Sequence, residues 1–326
     1  MKKMIMMGCL VMACCAISCA KTEQKPGNET TGQGVVGTTA TDEHVMDGTD
    51  MPPVLTFCVK GLPLFAPFNE GDLINEGKAL KETPERYTKL ILGESIFDVS
   101  FKEEKNKQLE HDGSYMNQYV YKMKDEMKGQ LYTYADPKAV EEYMQTHGDI
   151  SAEGEVYPME YAYGILVPAD YLKERTVMKS FATTTEDPTQ PQFSAGVIAQ
   201  VEKMVGAKVE SNRIAYVFGD DEYNFGVMKT KPNDEYALAI WVLAKGNEVC
   251  IHTDTCEVEG GEVVWSNYDP EEYLEPGVLA VVKGKNGLDI YSTHASTDET
   301  MNYMLIRQEG PKMKIFDMGG FYQMYE

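Results

Sequence analysis

Tyr236-Ala237-Leu238-Ala239-Ile240-Trp241-Val242-Leu243-Ala244 is apolar on both faces of a two-residue period, with Leu238, Ile240 and Val242 opposite Ala237, Trp241 and Leu243. A strand that can leave neither face to water belongs in the middle of a sheet. Strand-like runs flank it at Val209 to Phe218, Tyr223 to Met228 and Glu248 to Val258. They are separated only by Gly219-Asp220-Asp221, Pro232-Asn233-Asp234 and Gly246-Asn247, and turns that short predict an antiparallel meander.

Outward from the meander, the local signals are of two kinds. Ser194 stands as N-cap before Val197, Ile198, Val201, Met204 and Val205 at helical spacing, and Gly206 supplies the stop. Downstream, Val278 to Val282 and Leu288 to Thr293 predict a hairpin through Asn286-Gly287, the dipeptide suited to a type I′ turn. Met301 to Ile306 and Lys312 to Met318 continue in the same style. Upstream, strands are expected at Val54 to Val59, Ile96 to Phe101, Met116 to Met123, Leu131 to Tyr134 and Tyr161 to Val167, with a short helix opened by Asp136-Pro137. Residues 182–192 contain two prolines and no apolar period, which places a boundary there.

The expected fold class is therefore α+β, mainly antiparallel sheet with a few packed helices in two regions, 53–181 and 193–326, joined by the linker 182–192. Asp112 to Pro137 and Lys245 to Pro270 show a faint echo of each other, each ending in Asp-Pro. Recurrent turn chemistry explains that better than duplication does.

The chain has 326 residues, of which 43% are hydrophobic and 25% charged, so a packed core is within reach and disorder of the whole is excluded. Its 52 acidic residues against 30 Lys and Arg give a net charge of -22, which repels a phosphate backbone and speaks against nucleic acid as a partner.

Lys2 and Lys3 precede a run of apolar and small residues from Met4 to Ile17, the layout of a signal peptide. The run falls short of the roughly 17 to 25 residues that a spanning helix needs. It ends in Ala16-Ile17-Ser18-Cys19, which resembles the lipobox of bacterial lipoproteins. The resemblance covers the signal segment only, and it departs from the usual pattern in having Ala16 where Leu is common. A second candidate, Val11-Met12-Ala13-Cys14, would leave Cys15 to Ile17 outside the cut.

The resemblance implies that residues 1–18 are removed, that Cys19 carries diacylglycerol, and that Ala20 directs the product to the outer membrane. Several acyl chains at about 0.8 kcal/mol per buried methylene make a stable anchor. Residues 19–52 would then be the lipidated cysteine and a tether, since the stretch from Ala20 to Asp50 has no aromatic residue and is rich in Thr, Gly and acids. A flexible coil of that length reaches roughly 30 Å.

Signatures of catalysis are missing from the sequence. None of His44, His111, His147, His252 and His294 sits in a metalloprotease motif, and there is no nucleophile elbow, phosphate loop or dinucleotide fingerprint. No catalytic residue, metal ligand or cofactor is assigned. The one constellation of note is Cys250, His252, Asp254 and Cys256, in alternate positions. If the strand runs through it, all four share one face but spread over roughly 20 Å, too far for one metal. If the chain turns at His252 to Asp254, Cys250 and Cys256 could form a disulfide. Cys58 is then the odd thiol, expected as a small buried hydrophobe. The tyrosines at strand spacing, Tyr119, Tyr121, Tyr132, Tyr134, Tyr161 and Tyr163, fit cross-strand packing better than a sugar-stacking row.

The functional expectation is a lipid-anchored cell-envelope protein with a noncatalytic binding or assembly role, its partner a protein or a glycan. The alternative is a lipid-anchored hydrolase using paired carboxylates, which carry no short spacing rule.

Overall fold

The structure is a computed structural model that describes residues 51–68, 76–105, 129–147, 149–150, 156–159, 161–183, 191–220, 222–260, 262–265, 276–295 and 300–322. All of them belong to one compact unit. The expected strand Met116 to Met123, most of the echo at Asp112 to Pro137, and the signal segment with Cys19 lie outside the described residues.

The first half of the chain supplies β1 (Val54–Val59), β2 (Leu64–Pro67), α1 (Glu76–Glu82), β3 (Tyr87–Leu92), β4 (Ser95–Lys105), β5 (Gly129–Tyr134), α2 (Pro137–Thr146), the short pair β6 (Asp149–Ile150) and β7 (Val156–Tyr157), and β8 (Tyr161–Pro168). Six of these strands close into a barrel in the order β1-β2-β5-β4-β3-β8, every pair antiparallel. Alternation decides what faces in: Val54, Cys58, Leu64, Ala66, Leu90, Leu92, Tyr132 and Leu166 fill one buried cluster. Six strands leave a narrow interior. At Gly164 any Cβ would stand 2.6 Å from Leu90 Cδ1 and 2.7 Å from Leu92 Cδ2, so a larger residue would have to displace both leucine side chains. Helix α2 buries Val140 and Met144 against this cluster, and its Asp136 cap accepts from the Lys138 and Ala139 N–H groups at 3.1 and 3.2 Å. Tyr87 and Tyr132 are fully buried, their hydroxyls donating to Pro52 O and Pro84 O. Both act as packing groups.

The rest of the chain forms β9 (Thr176–Met178), β10 (Ser180–Ala182), α3 (Ala195–Val205), β11 (Val209–Phe218), β12 (Tyr223–Thr230), β13 (Tyr236–Lys245), β14 (Glu248–Glu259), β15 (Glu262–Val263), β16 (Gly277–Lys283), β17 (Leu288–Ala295), β18 (Thr300–Glu309) and β19 (Lys312–Tyr322). The sheet order is β10-β11-β12-β13-β14-β19-β18-β17-β16-β9, with β15 appended to β14. The meander β11 to β14 is as expected, and β13 lies between β14, paired from Tyr236 to Lys245, and β12, paired from Ala239 to Ala244. Its odd face enters a core with Phe225, Ile290 and Ile306, while Ile240 and Val242 pack beneath Val197 and Val201 of α3. Ser194 Oγ accepts from the Val197 N–H, and Gly206 takes the left-handed conformation at φ 72°. Met204, expected on the buried face, is 41% exposed.

β9 pairs with β16 and β10 pairs with β11, and a single residue, Lys179, separates them. Both ends of the ten-strand series therefore hang on one stretch of chain, and Lys179 O accepts from the Gly219 N–H at 3.0 Å. β14 and β19 join in parallel at Ile251 and Lys312.

Three expectations are corrected. The fold class is not α+β but mostly β: among the described residues nineteen strands stand against three short α-helices. Caps and helical spacing are strong local signals and exaggerate the weight of helices, whereas barrel closure arises from pairings far apart in the chain. The segment before the expected linker is also not confined to the first region, because β9 and β10 belong to the second sheet. A buried layer moreover joins Leu55, Ile91, Ile165 and Val167 to Ala280, Val282, Tyr291 and Leu305. Lastly, the hairpin β16–β17 turns through Gly284 to Gly287, with Gly284 N–H donating to Gly287 O. Asn286 is not at positive φ, so the turn is not type I′.

Candidate functional site

A cleft of about 470 Å³ opens where the turn after β8 meets the β16–β17 loop and the end of β18. Its floor is a buried polar network. Arg307 Nε donates to Asp289 Oδ1 and Nη2 to Asp289 Oδ2, a two-pronged geometry that fixes both groups. The Tyr171 hydroxyl lies 2.6 Å from that of Tyr291 and donates to Asp289 Oδ2 at 3.3 Å. Burial, and then the Asp289 carboxylate, pushes the Tyr171 phenol up, while burial and Tyr171 do the same to Tyr291. Both hydroxyls therefore remain protonated.

The rim is set by Tyr171 as well. The Arg175 guanidinium sits 4.4 Å above its ring and donates from Nη1 to the Tyr171 carbonyl, which holds that cation at the opening. Lys173, Glu174, Lys285 and Asp170 complete the charged lining. Asp289 is neutralised by Arg307, and Asp170 lies 4.0 Å from Arg86. The remaining balance, Lys173, Arg175 and Lys285 against Asp170 and Glu174, is still positive on a chain of net charge -22. None of these residues stands out in the sequence. The available signal was Asp289 with Tyr291, polar groups in alternate positions on one face of β17.

A smaller pocket of about 270 Å³ lies at the mouth of the first barrel, lined by Lys60, Lys102, Tyr134 and Met144 among others. Cys58 lies inside that barrel, fully buried, where desolvation pushes its thiol up to about 12.

β14 runs unbroken through Cys250, His252, Asp254 and Cys256. All four face inward in register with Leu243, Trp241, Ala239 and Ala237. The structure does not bring Cys250 and Cys256 together: both are free and buried, and five strand residues separate them. It does bring together two histidines that are far apart in sequence. The rings of His252 and His294 lie 5.0 and 5.7 Å from Trp241, and His252 Nε2 is 3.0 Å from Asp254 Oδ1. His147 instead stacks on Tyr143 at the end of α2. His44 and His111 lie outside the described residues. Among the described residues no group of three or more His, Cys, Asp or Glu could hold a metal, and no helix is long and apolar enough to cross a membrane.

No protein-family model, curated protein or solved structure matches the chain.

Proposed function

We propose that this is a lipid-anchored protein of the cell envelope, held at Cys19, that binds an anionic envelope polymer without transforming it. The observation that carries the binding role is the cationic rim of Lys173, Arg175 and Lys285 around a cleft whose buried acid is already neutralised. On so acidic a chain, a local positive opening selects for ligands bearing carboxylate or phosphate groups. The anchor rests on the lipobox resemblance at Ala16 to Cys19.

A hydrolase with paired carboxylates requires one acid able to surrender a proton. Asp289 is the buried acid of the cleft, and both of its oxygens are engaged by Arg307. That engagement favours recognition over hydrolysis.

The test is binding of acidic polysaccharide from envelope extract to the detergent-solubilised full chain. Binding should weaken with added salt and fall at least about ten-fold in the double variant Arg175→Glu, Lys285→Glu. Binding unchanged by salt and by charge reversal would remove the cleft from the function, and capture of an acidic protein instead would change the ligand class.

A further inference from the structure

We infer that the inner face of the second sheet holds a separate site for one neutral sugar residue, built on Trp241, His252, Asp254, Ser292 and His294. Trp241, His252 and Asp254 come from the paired strands β13 and β14, whereas Ser292 and His294 come from β17, which β19 and β18 separate from β14. The Trp241–His294 contact at 5.7 Å therefore crosses the interior rather than following one hydrogen-bonded pair of strands. On β17, Leu288 and Ile290 belong to the inner core, and alternation carries Ser292 and His294 onto the same face. The His252 and Asp254 side chains keep 29% and 40% of their surface, so solvent reaches this end of the core.

Two buried polar atoms point to a missing occupant. Trp241 is 3% exposed and Ser292 is 1% exposed, yet Trp241 Nε1 and Ser292 Oγ have no hydrogen-bond partner among the described residues. Buried polar groups are almost always satisfied, so one orphan on the ring that touches His252 and His294, and another two residues before His294 on the same strand face, mark a place where a ligand completes the bonding.

The chemistry of the cluster selects the ligand. An anion would face the Asp254 carboxylate. A simple cation has nothing to accept the Trp241 N–H, which can only donate. A purely apolar molecule leaves both orphans unmet. A hydroxyl group both donates and accepts, and the C–H face of a sugar ring packs on an indole. A neutral sugar unit, free or at the end of a glycan, meets all of these conditions. The inference does not rest on the cleft, because Asp289 and His294 are five residues apart on β17, roughly 16 Å at strand spacing.

Trp241 and Trp265 are the two tryptophans of the chain, so Trp265→Phe leaves Trp241 as its sole indole reporter. The full-length Trp265→Phe protein is titrated with D-glucose, D-galactose and N-acetyl-D-glucosamine, with glycerol as the acyclic control, and Trp241 emission is followed. At least one sugar should change the emission saturably while glycerol does not. Adding Ser292→Ala or Asp254→Asn should weaken that binding at least about ten-fold. Ser292→Ala removes only an unpartnered hydroxyl, so its thermal unfolding should stay level or rise, which separates loss of binding from loss of fold. The cleft variant Arg175→Glu, Lys285→Glu should leave the sugar response intact. Absence of a saturable response to every sugar, an equal response to glycerol, a response unaltered by both inner-face variants, or one abolished by the cleft variant would each overturn the assignment.

Discussion

Arg307 reaches both carboxylate oxygens of Asp289, at 2.7 and 2.9 Å, from the position directly facing it across the β17–β18 pair. Their side chains keep only 17% and 10% of their surface. Removing one partner leaves the other charge buried and uncompensated. Arg307→Ala should therefore cost about 3 to 5 kcal/mol in urea unfolding. Arg307→Lys should recover part of that, because an ammonium cannot reproduce the forked contact. A loss below about 1 kcal/mol in Arg307→Ala would mean that the pair is hydrated as a surface pair is.

The buried thiols make the fold sensitive to alkali. Desolvation holds Cys58 and Cys250 at about 12 against an ordinary 9.0, and pushes Cys256 up as well. Above pH 9 the unfolded chain releases protons that the folded chain keeps, so stability is complete below that pH and falls as pH rises toward 12. Each fully titrating thiol contributes up to about 1.4 kcal/mol per pH unit. Melting temperature measured from pH 8 to pH 11 should decline, with a shallower slope in Cys58→Ala.

Cys250 and Cys256 should both be free thiols in protein recovered from an oxidising compartment. Alkylation with peptide mapping should label Cys58, Cys250 and Cys256 only after denaturation, since all three are buried. A disulfide-linked peptide joining Cys250 to Cys256 would require β14 to be broken between them.

Gly226 sits opposite the irregularity between Ile214 and Tyr216 in the β11–β12 pair. A Cβ there would stand 2.1 Å from Arg213 O and 2.9 Å from Ala215 N, both backbone atoms with little freedom to yield. Gly226→Ala should destabilise by about 3 kcal/mol or more in denaturant titration. Gly206→Ala should cost less, about 1 kcal/mol, because only the left-handed φ of 72° is strained and the space around it is open.

Cys19→Ala should abolish acylation and shift the protein from the membrane to the soluble fraction. Mass spectrometry of the native N-terminus provides the check, and an intact residue 1–18 segment would refute the anchor.

The sequence by itself determined the elements whose causes are local. Asp136-Pro137 and Ser194 with Gly206 set the ends of α2 and α3 through single side chains and one left-handed glycine. The two-faced apolar run of β13 announced its place between β12 and β14, and the alternation through Cys250 to Cys256 held once the strand continued. What the tertiary structure decided was closure. The join of β1 to β8, the shared hold of β9 and β10 on both ends of the second sheet, and the meeting of Trp241 with His294 depend on backbone pairing and core packing between distant segments. The same holds for the cleft, where Tyr171 meets Asp289 across 118 residues. Periodicity reports which face of a strand is wet, but hydrogen-bonding edges are alike in every strand, so only the folded chain selects which edges meet.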